Sequence, residues 1–413
     1  MKILLVNKFH YIKGGSETYY FGLGELLEKY GHEVIYFSMT DDNNRSCEQE
    51  KYFVDHVDFN APMGKVQIVK AALKMLYSFE AKKKFEQLII DEKPDIIHLN
   101  IFQSQLTGSI VDAAKKYQIP IVYTAHDLKS VCPNYQMLNH GVICEKCLHG
   151  NYMNCFMTGC MKDSKAKSLL AAMEAEVYKI KKIYQKMDLI ITPSRFYKKK
   201  IEEAGIARCP VIHMTNFLPE ETKYKNGAVQ GEYFLYFGRL SREKGILTLV
   251  NAFAKAKVDE PLYIVGTGPM KEQIERLISK KRLQDKVQLL GFKSGQELKD
   301  IVANALCVCL PSEWYENGPY SVMEAQAVGR PVIVTSNGGL PELVEDGITG
   351  YIVKPNDVDD LARKIEDCVN HISWDTNRIL KNAMKKYDAK VYVDKVIRIY
   401  KKLENSQYES RTQ

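Results

Sequence analysis

The chain contains no run of eighteen or more apolar residues, so no part of it is read as crossing a membrane. It has no G-x-G-x-x-G segment, which removes the usual signal for a dinucleotide cofactor. Gly266-Thr267-Gly268-Pro269 comes near it, but Lys271 stands where the third glycine would be. No recognised nucleic-acid-binding motif accompanies its positive charge, so nucleic acid is not expected as a partner. No D-x-D pair is read at a strand end facing a ligand crevice, so no catalytic metal is expected. The first residues, Met1 to Lys8, have too short an apolar core for a signal peptide and read as a first strand. The expected compartment is therefore the cytoplasm. What remains is a chain of 413 residues, 45% hydrophobic and 26% charged, the balance of a globular protein with room for two domains. Its net charge is +7, and the excess sits mainly in the N-terminal half, in runs such as Lys82-Lys83-Lys84 and Lys198-Lys199-Lys200. An anionic membrane surface or a phosphate-bearing acceptor suits that charge, and a solvated basic face is the plain alternative.

Strand-like and helix-like segments alternate along most of the chain. Lys2–Val6 reads as a strand, residues from about Ser16 to Tyr30 as a helix, and Glu33–Ser38 as a second strand, the βαβ opening of a doubly wound sheet. Gly14 and Gly15 precede that helix. Paired glycines there let the backbone approach a ligand and turn N–H donors toward an anion, although a tight turn explains them too. Gly64 to Asp91 gives one or two amphipathic helices, with Val66, Val69, Leu73, Leu76 and Phe85 apolar among lysines, suited to a membrane surface or a sheet face. The strand Pro120–Ala125 ends at His126-Asp127, which puts an imidazole where open α/β sheets bind ligands. Residues 1–215 form the first expected domain, 216–231 a polar linker, and 232–390 the second domain.

In the second domain, the strand Tyr233–Phe237 runs into Gly238 to Gly245, where Arg239 and Lys244 could neutralise a diphosphate. The strand Lys286–Leu290 leads to Gly291-Phe292-Lys293, and Ser294 to Glu297 has the spacing of a capping box. Ser312 to Thr335 is the most telling stretch: two carboxylates, Glu316 and Glu324, stand with seven residues between them. Gly318-Pro319 marks a helix start, so Tyr320 and Ser321 offer free N–H groups to a phosphate. A surface helix with two solvated glutamates is the ordinary reading.

Glu316 and Glu324 resemble the E-x7-E motif of retaining nucleotide-sugar glycosyltransferases of the GT-B fold, family four. The run G-R-L-x-x-E-K-G from Gly238 is similar to that family's diphosphate loop, and His126-Asp127 to the pair its members set beside the donor sugar. One departure is Asn317-Gly318-Pro319-Tyr320, where members commonly carry a Phe-Gly pair. The resemblance implies an α/β fold of two Rossmann-like doubly wound domains facing across a cleft. A C-terminal helix at 391–413 would pack back on the first domain, followed by a tail. It implies a donor of UDP or GDP type, with Glu324 on the ribose and Glu316 on the sugar hydroxyls. Arg239 and Lys244 would hold the leaving diphosphate, His126 the sugar, and Gly14 and Gly15 the phosphates or the acceptor. Backbone just past Lys293 would meet the base. The implied reaction is retaining transfer to a glycan or lipid-linked glycan in cell-surface polysaccharide biosynthesis, on the cytoplasmic membrane face. Two alternatives are a sugar-nucleotide epimerase, for which no acid–base set is found, and an idle glycan-binding subunit, against which the intact motif residues speak.

Between about 128 and 163 the alternation breaks. This insert holds five of the ten cysteines: Cys132, Cys144, Cys147, Cys155 and Cys160. Cys144-x-x-Cys147 has metal-ligand spacing, and the insert is short of apolar residues for a core of its own. A structural zinc held by that pair and two of the other three is expected.

Overall fold

The computed structural model describes residues 1–57, 64–219, 231–370 and 374–412, so most of the expected 216–231 linker lies outside the described residues. Contacts divide the chain into two compact units, Met1–Met214 with Ala389–Gln413, and Thr215–Asp388.

Unit 1 is built on six parallel strands: β1 (Lys2–Val6), β2 (Glu33–Phe37), β3 (Ile96–Leu99), β4 (Ile121–Thr124), β7 (Leu189–Thr192) and β8 (Val211–His213). A small hairpin in the insert supplies β5 (Leu138–Asn139) and β6 (Val142–Ile143). The order across the main sheet is β2-β1-β3-β4-β7-β8. Strands such as Ile3-Leu4-Leu5-Val6 are wholly buried, as a parallel sheet covered on both faces requires. The chain runs outward one way from β1 to β2 and the other way from β3 onward. The crevice for a ligand therefore opens at the C-terminal ends of β1 and β3.

The helices of unit 1 are α1 (Gly15–Lys29), α2 (Lys65–Leu76), α3 (Phe79–Glu92), α4 (Ser109–Lys116), α5 (Met153–Thr158), α6 (Lys165–Ile180) and α7 (Arg195–Ala204). The amphipathic stretch from Gly64 splits at Ser78, whose hydroxyl caps α3 through Ala81 N. The two halves differ. Phe85 of α3 is buried edge-on to Phe37, whereas Val66, Val69 and Leu73 of α2 are 68%, 57% and 61% exposed.

Unit 2 repeats the plan with β9 (Tyr233–Phe237), β10 (Leu262–Val265), β11 (Val287–Gly291), β12 (Ala305–Leu310), β13 (Val332–Thr335) and β14 (Gly350–Val353). All its pairings are parallel, in the order β11-β10-β9-β12-β13-β14, so the direction switches between β9 and β12. Its helices are α8 (Ile246–Lys255), α9 (Lys271–Lys280), α10 (Gly295–Ala303), α11 (Tyr320–Gln326), α12 (Val358–Asn370) and α13 (Thr376–Lys386). The capping box expected at Ser294 does not form. The Ser294 side chain makes no cap bond, and Glu297 is drawn instead to Lys293, 2.5 Å away.

The last helix, α14 (Ala389–Thr412), belongs to unit 1. Tyr392 shares a 2.8 Å hydroxyl contact with Tyr19 of α1, and Tyr400 bonds through its hydroxyl to the buried His98 of β3.

Candidate active site

In unit 2 the loops leaving β9 and β12 meet. Lys244 Nζ lies 2.6 Å from Glu316 Oε1, and Ser312 Oγ donates to the same oxygen at 2.6 Å. Glu316 is buried, yet its carboxyl sits below the usual range. Burial pushes it up, and the Lys244 charge and hydrogen bond, followed by the Ser312 bond, more than reverse the effect. The side chain is thus an ionised acceptor beside a cation that also lies over the Trp314 ring at 5.2 Å.

Backbone contacts fix this pair. Gly339 N donates to Glu316 O at 2.7 Å, and Thr335 Oγ1 to Ser312 O at 2.6 Å, so the loop after β13 grips the loop after β12. Gly338 adopts φ +64°, and a Cβ there would stand 2.4 Å from Glu316 O, so only glycine fits. Gly245 is equally confined: its φ is +68°, and a Cβ would lie 2.0 Å from Pro311 O.

The other expected residues of unit 2 lie on the β9 loop, on α11 and past β11. Arg239 shares the β9 loop, its side chain exposed and without an ion pair among the described residues. Tyr320 and Ser321 form the first turn of α11, and Glu324 lies half-buried further along the same helix. Lys293 stands apart, past β11 at the sheet edge, two strands from β9.

The crevice in unit 1 is lined differently. Asn7 follows β1, Asn100 follows β3, and His126 follows β4. His126 Nε2 donates to Asn100 Oδ1 at 2.9 Å, and Asn7 takes the Ile101 N–H on Oδ1 while donating to Glu17 Oε1 at 3.1 Å. Burial drives the His126 imidazole down to about 3, so it is neutral and works by hydrogen bonding rather than by charge. The Glu17 carboxyl is pushed up by burial. Gly14 and Gly15 stay exposed at the start of α1, where Gly14 O receives the Thr18 N–H. Lys8, next to Asn7, is lowered to about 8, first by burial and then by Lys13.

Asn7, Lys8, Asn100 and Ser312 were not singled out by the sequence reading, whereas Gly338 was read only as part of a strand-to-helix turn. Asn7 and Asn100 carry a usable signal, a polar residue directly after a strand's last apolar one. Ser312 has none, because it matters only once the loop brings it to Glu316.

The five insert cysteines line one void of about 10 Å³, and Cys155 and Cys160 bring their sulfurs to 3.3 Å. None is in a disulfide. As they stand, no three His, Cys, Asp or Glu side chains among the described residues are arranged to hold a metal ion.

Two six-stranded parallel sheets, each with its own switch point, define the two-domain α/β architecture of the GT-B class. Similar solved structures agree with that fold. A sucrose-phosphate synthase from Thermosynechococcus elongatus matches with a TM-score of 0.71 at 20% identity, over 98% of this chain and 99% of that one. The Anabaena HepE protein, solved in complex with UDP and glucose, matches with a TM-score of 0.68 at 18% identity, over 97% and 100%. The family model for Glycosyltransferase Family 4 matches residues 13–218, and that for Glycosyl transferases group 1 matches residues 220–405. The chain belongs to this family of group 1, family four glycosyltransferases. Among curated relatives, the amylovoran biosynthesis glycosyltransferase AmsK of Erwinia amylovora is 29% identical over 44% of this chain and 47% of its own. The chain spans about half the length of the curated relatives it matches in this way.

Proposed function

We propose that the protein is a retaining glycosyltransferase that moves a sugar from a nucleotide-diphosphate sugar to a glycan or lipid-linked glycan acceptor. The process it serves is cell-surface polysaccharide biosynthesis. The observation that carries this reading is the Lys244–Glu316 pair, set by Ser312 at the β9/β12 switch point. A buried carboxylate kept ionised by a lysine can accept sugar hydroxyls, and the lysine with Arg239 faces the charge that grows on a leaving diphosphate. In this scheme the bond from the anomeric carbon to the phosphate oxygen breaks while the acceptor oxygen bonds to that carbon on the same face. The acceptor's proton passes to the departing diphosphate. Glu324 holds the ribose, Tyr320 and Ser321 the phosphates, and His126, with Gly14 and Gly15, the reacting end. The HepE complex supports a UDP-type donor, and the amylovoran relative supports a polysaccharide product. Incubation with UDP-, GDP- and ADP-sugars tests the reading. Donor turnover that Glu316→Gln depresses is expected, and no turnover of any donor overturns it.

The acceptor is met at an anionic membrane face, which α2 suits with its exposed Val66, Val69 and Leu73 interleaved with Lys70 and Lys74. No helix among the described residues is long and apolar enough to cross a membrane. Flotation with anionic liposomes at low salt that is lost at high salt supports surface docking, and equal soluble recovery at both salts removes it. The insert cysteines take one structural zinc, because five thiols surround a void of about 10 Å³. Contrary to the expectation from its sequence, the insert is not short of core, since Tyr152, Phe156 and Met161 pack with Ala171 and Ala172 around Cys147 and Cys155. Elemental analysis of protein purified without added metal should find about one zinc per chain. Folded, active protein without zinc rejects this role.

A further inference from the structure

Two neighbours hold the His126 ring in unit 1. Its Nε2 donates to Asn100 Oδ1 at 2.9 Å, and Asn100 is itself turned by its Nδ2, which donates to Val6 O at 3.2 Å. An amide oxygen only accepts, so the proton of the neutral imidazole sits on Nε2 and the lone pair on Nδ1. The second neighbour is Tyr19 of α1. Its ring centroid lies 4.8 Å from that of the imidazole, with the planes at 65°, an edge-on contact.

Tyr19 is buried, and more than packing keeps it in place. Its hydroxyl meets the Tyr392 hydroxyl of α14 at 2.8 Å and Thr124 Oγ1 at 3.3 Å. Thr124 Oγ1 meets His98 Nε2 at 2.7 Å, and His98 Nδ1 meets the Tyr400 hydroxyl. The result is one chain of buried polar groups that starts and ends on α14, at Tyr392 and, about two turns later, at Tyr400. Phenylalanine at 19 and 392 would fill the same space with no hydroxyl to satisfy, so apolar packing alone does not call for this chain. What it adds is rigidity: a shift of any member strands a buried hydroxyl or ring nitrogen, which is costly. Thr124 stands two residues before His126, and the Tyr19 ring touches it, so the stiffened chain ends against the imidazole.

We propose that Tyr19 is a positioning residue for His126, and that α14 fixes Tyr19 through Tyr392 and, by way of His98 and Thr124, through Tyr400. The worth of that orientation to turnover rests on the transferase reading above; the orientation itself does not. The test is nitrogen-15 NMR of the full chain with labelled histidine at neutral pH, the His126 signals being assigned by their loss in His126→Gln. The parent should show a single Nε2–H form whose proton exchanges slowly with water. Tyr19→Leu, which removes the ring edge, should speed that exchange at least about tenfold while backbone amides of β1 keep their rates. Its kcat should fall about 10²-fold with the donor KM nearly unchanged, as for a misplaced group. Tyr19→Phe, which keeps the ring, and Tyr392→Phe, which removes only the far hydroxyl, should each speed the exchange about threefold. If the leucine variant does not fold, the two phenylalanine variants decide. The proposal is overturned if Nε2–H exchange in the variants matches the parent, or if leucine and phenylalanine at 19 behave alike. Faster exchange with unchanged kcat supports the positioning and counts against the transferase role of His126, so the two failures are told apart.

Discussion

The two units share one plan and handle polarity in opposite ways at their switch points. Unit 2 buries an ionised pair, Lys244 with Glu316, and spends Ser312 and the Gly338 turn on holding it. Unit 1 sets neutral partners there instead: half-buried His126 on Asn100 Oδ1, and buried Asn7 taking the Ile101 N–H. Behind them His98 is shared between Tyr400 and Thr124. The difference fits a division of labour in which unit 2 meets growing negative charge and unit 1 orients hydroxyls. It also makes the units respond differently to mutation and to acid.

The largest expected effect is on chemistry. Lys244→Ala should lower turnover by about 10²–10³-fold, as loss of one preorganised donor to a developing anion does. It should also release Glu316 toward protonation. Steady-state kinetics at several pH values reads both effects, and turnover within a few-fold of the parent would break the assignment of charge work to unit 2.

Acid should act mainly on the other unit. Burial lowers His98 to about 3 and His10 to about 4, so both are neutral when folded. A base with a depressed folded value contributes stability that is whole above its ordinary 6.5 and is lost as the pH falls below that. At about pH 5 each costs on the order of 2 kcal/mol. Glu17, raised by burial, works in the opposite direction. Glu316 is a carboxylate with a lowered value, so its contribution holds above 4.5 and fades only below it. Between about pH 6.5 and 4.5, hydrogen exchange should therefore speed up in β1, β3 and α14 before it does in β9 and β12. The reverse order would contradict the comparison.

Much of this was legible in the sequence, for identifiable reasons. The parallel strands announced themselves as short apolar runs, and Lys244 and Glu316 stood out by their place in two motifs, which the structure brings within 2.6 Å of each other. The partners that hold them were not legible. The Ser312 loop and the Gly338 turn gain their meaning from contacts between residues 22 and 23 apart, Gly338 against Glu316 O and Thr335 Oγ1 on Ser312 O, made only once the sheet assembles the two loops. The stretch from Gly64 to Asp91 read as uniformly amphipathic, yet periodicity alone could not say that Phe85 would be buried while Leu73 stayed exposed. The capping box at Ser294 failed because Lys293 offered Glu297 a charge, a competitor that a spacing rule does not weigh.

The central claim is that the unit 2 pair stabilises a leaving diphosphate while the acceptor attacks from the same face. Glu316, on this account, holds hydroxyls and forms no bond to the sugar. Product NMR during turnover, with intact-protein mass spectrometry alongside, tests this directly. The account predicts a product of retained anomeric configuration and no covalent sugar on the protein; an inverted product, or a glycosyl adduct on Glu316, would contradict it.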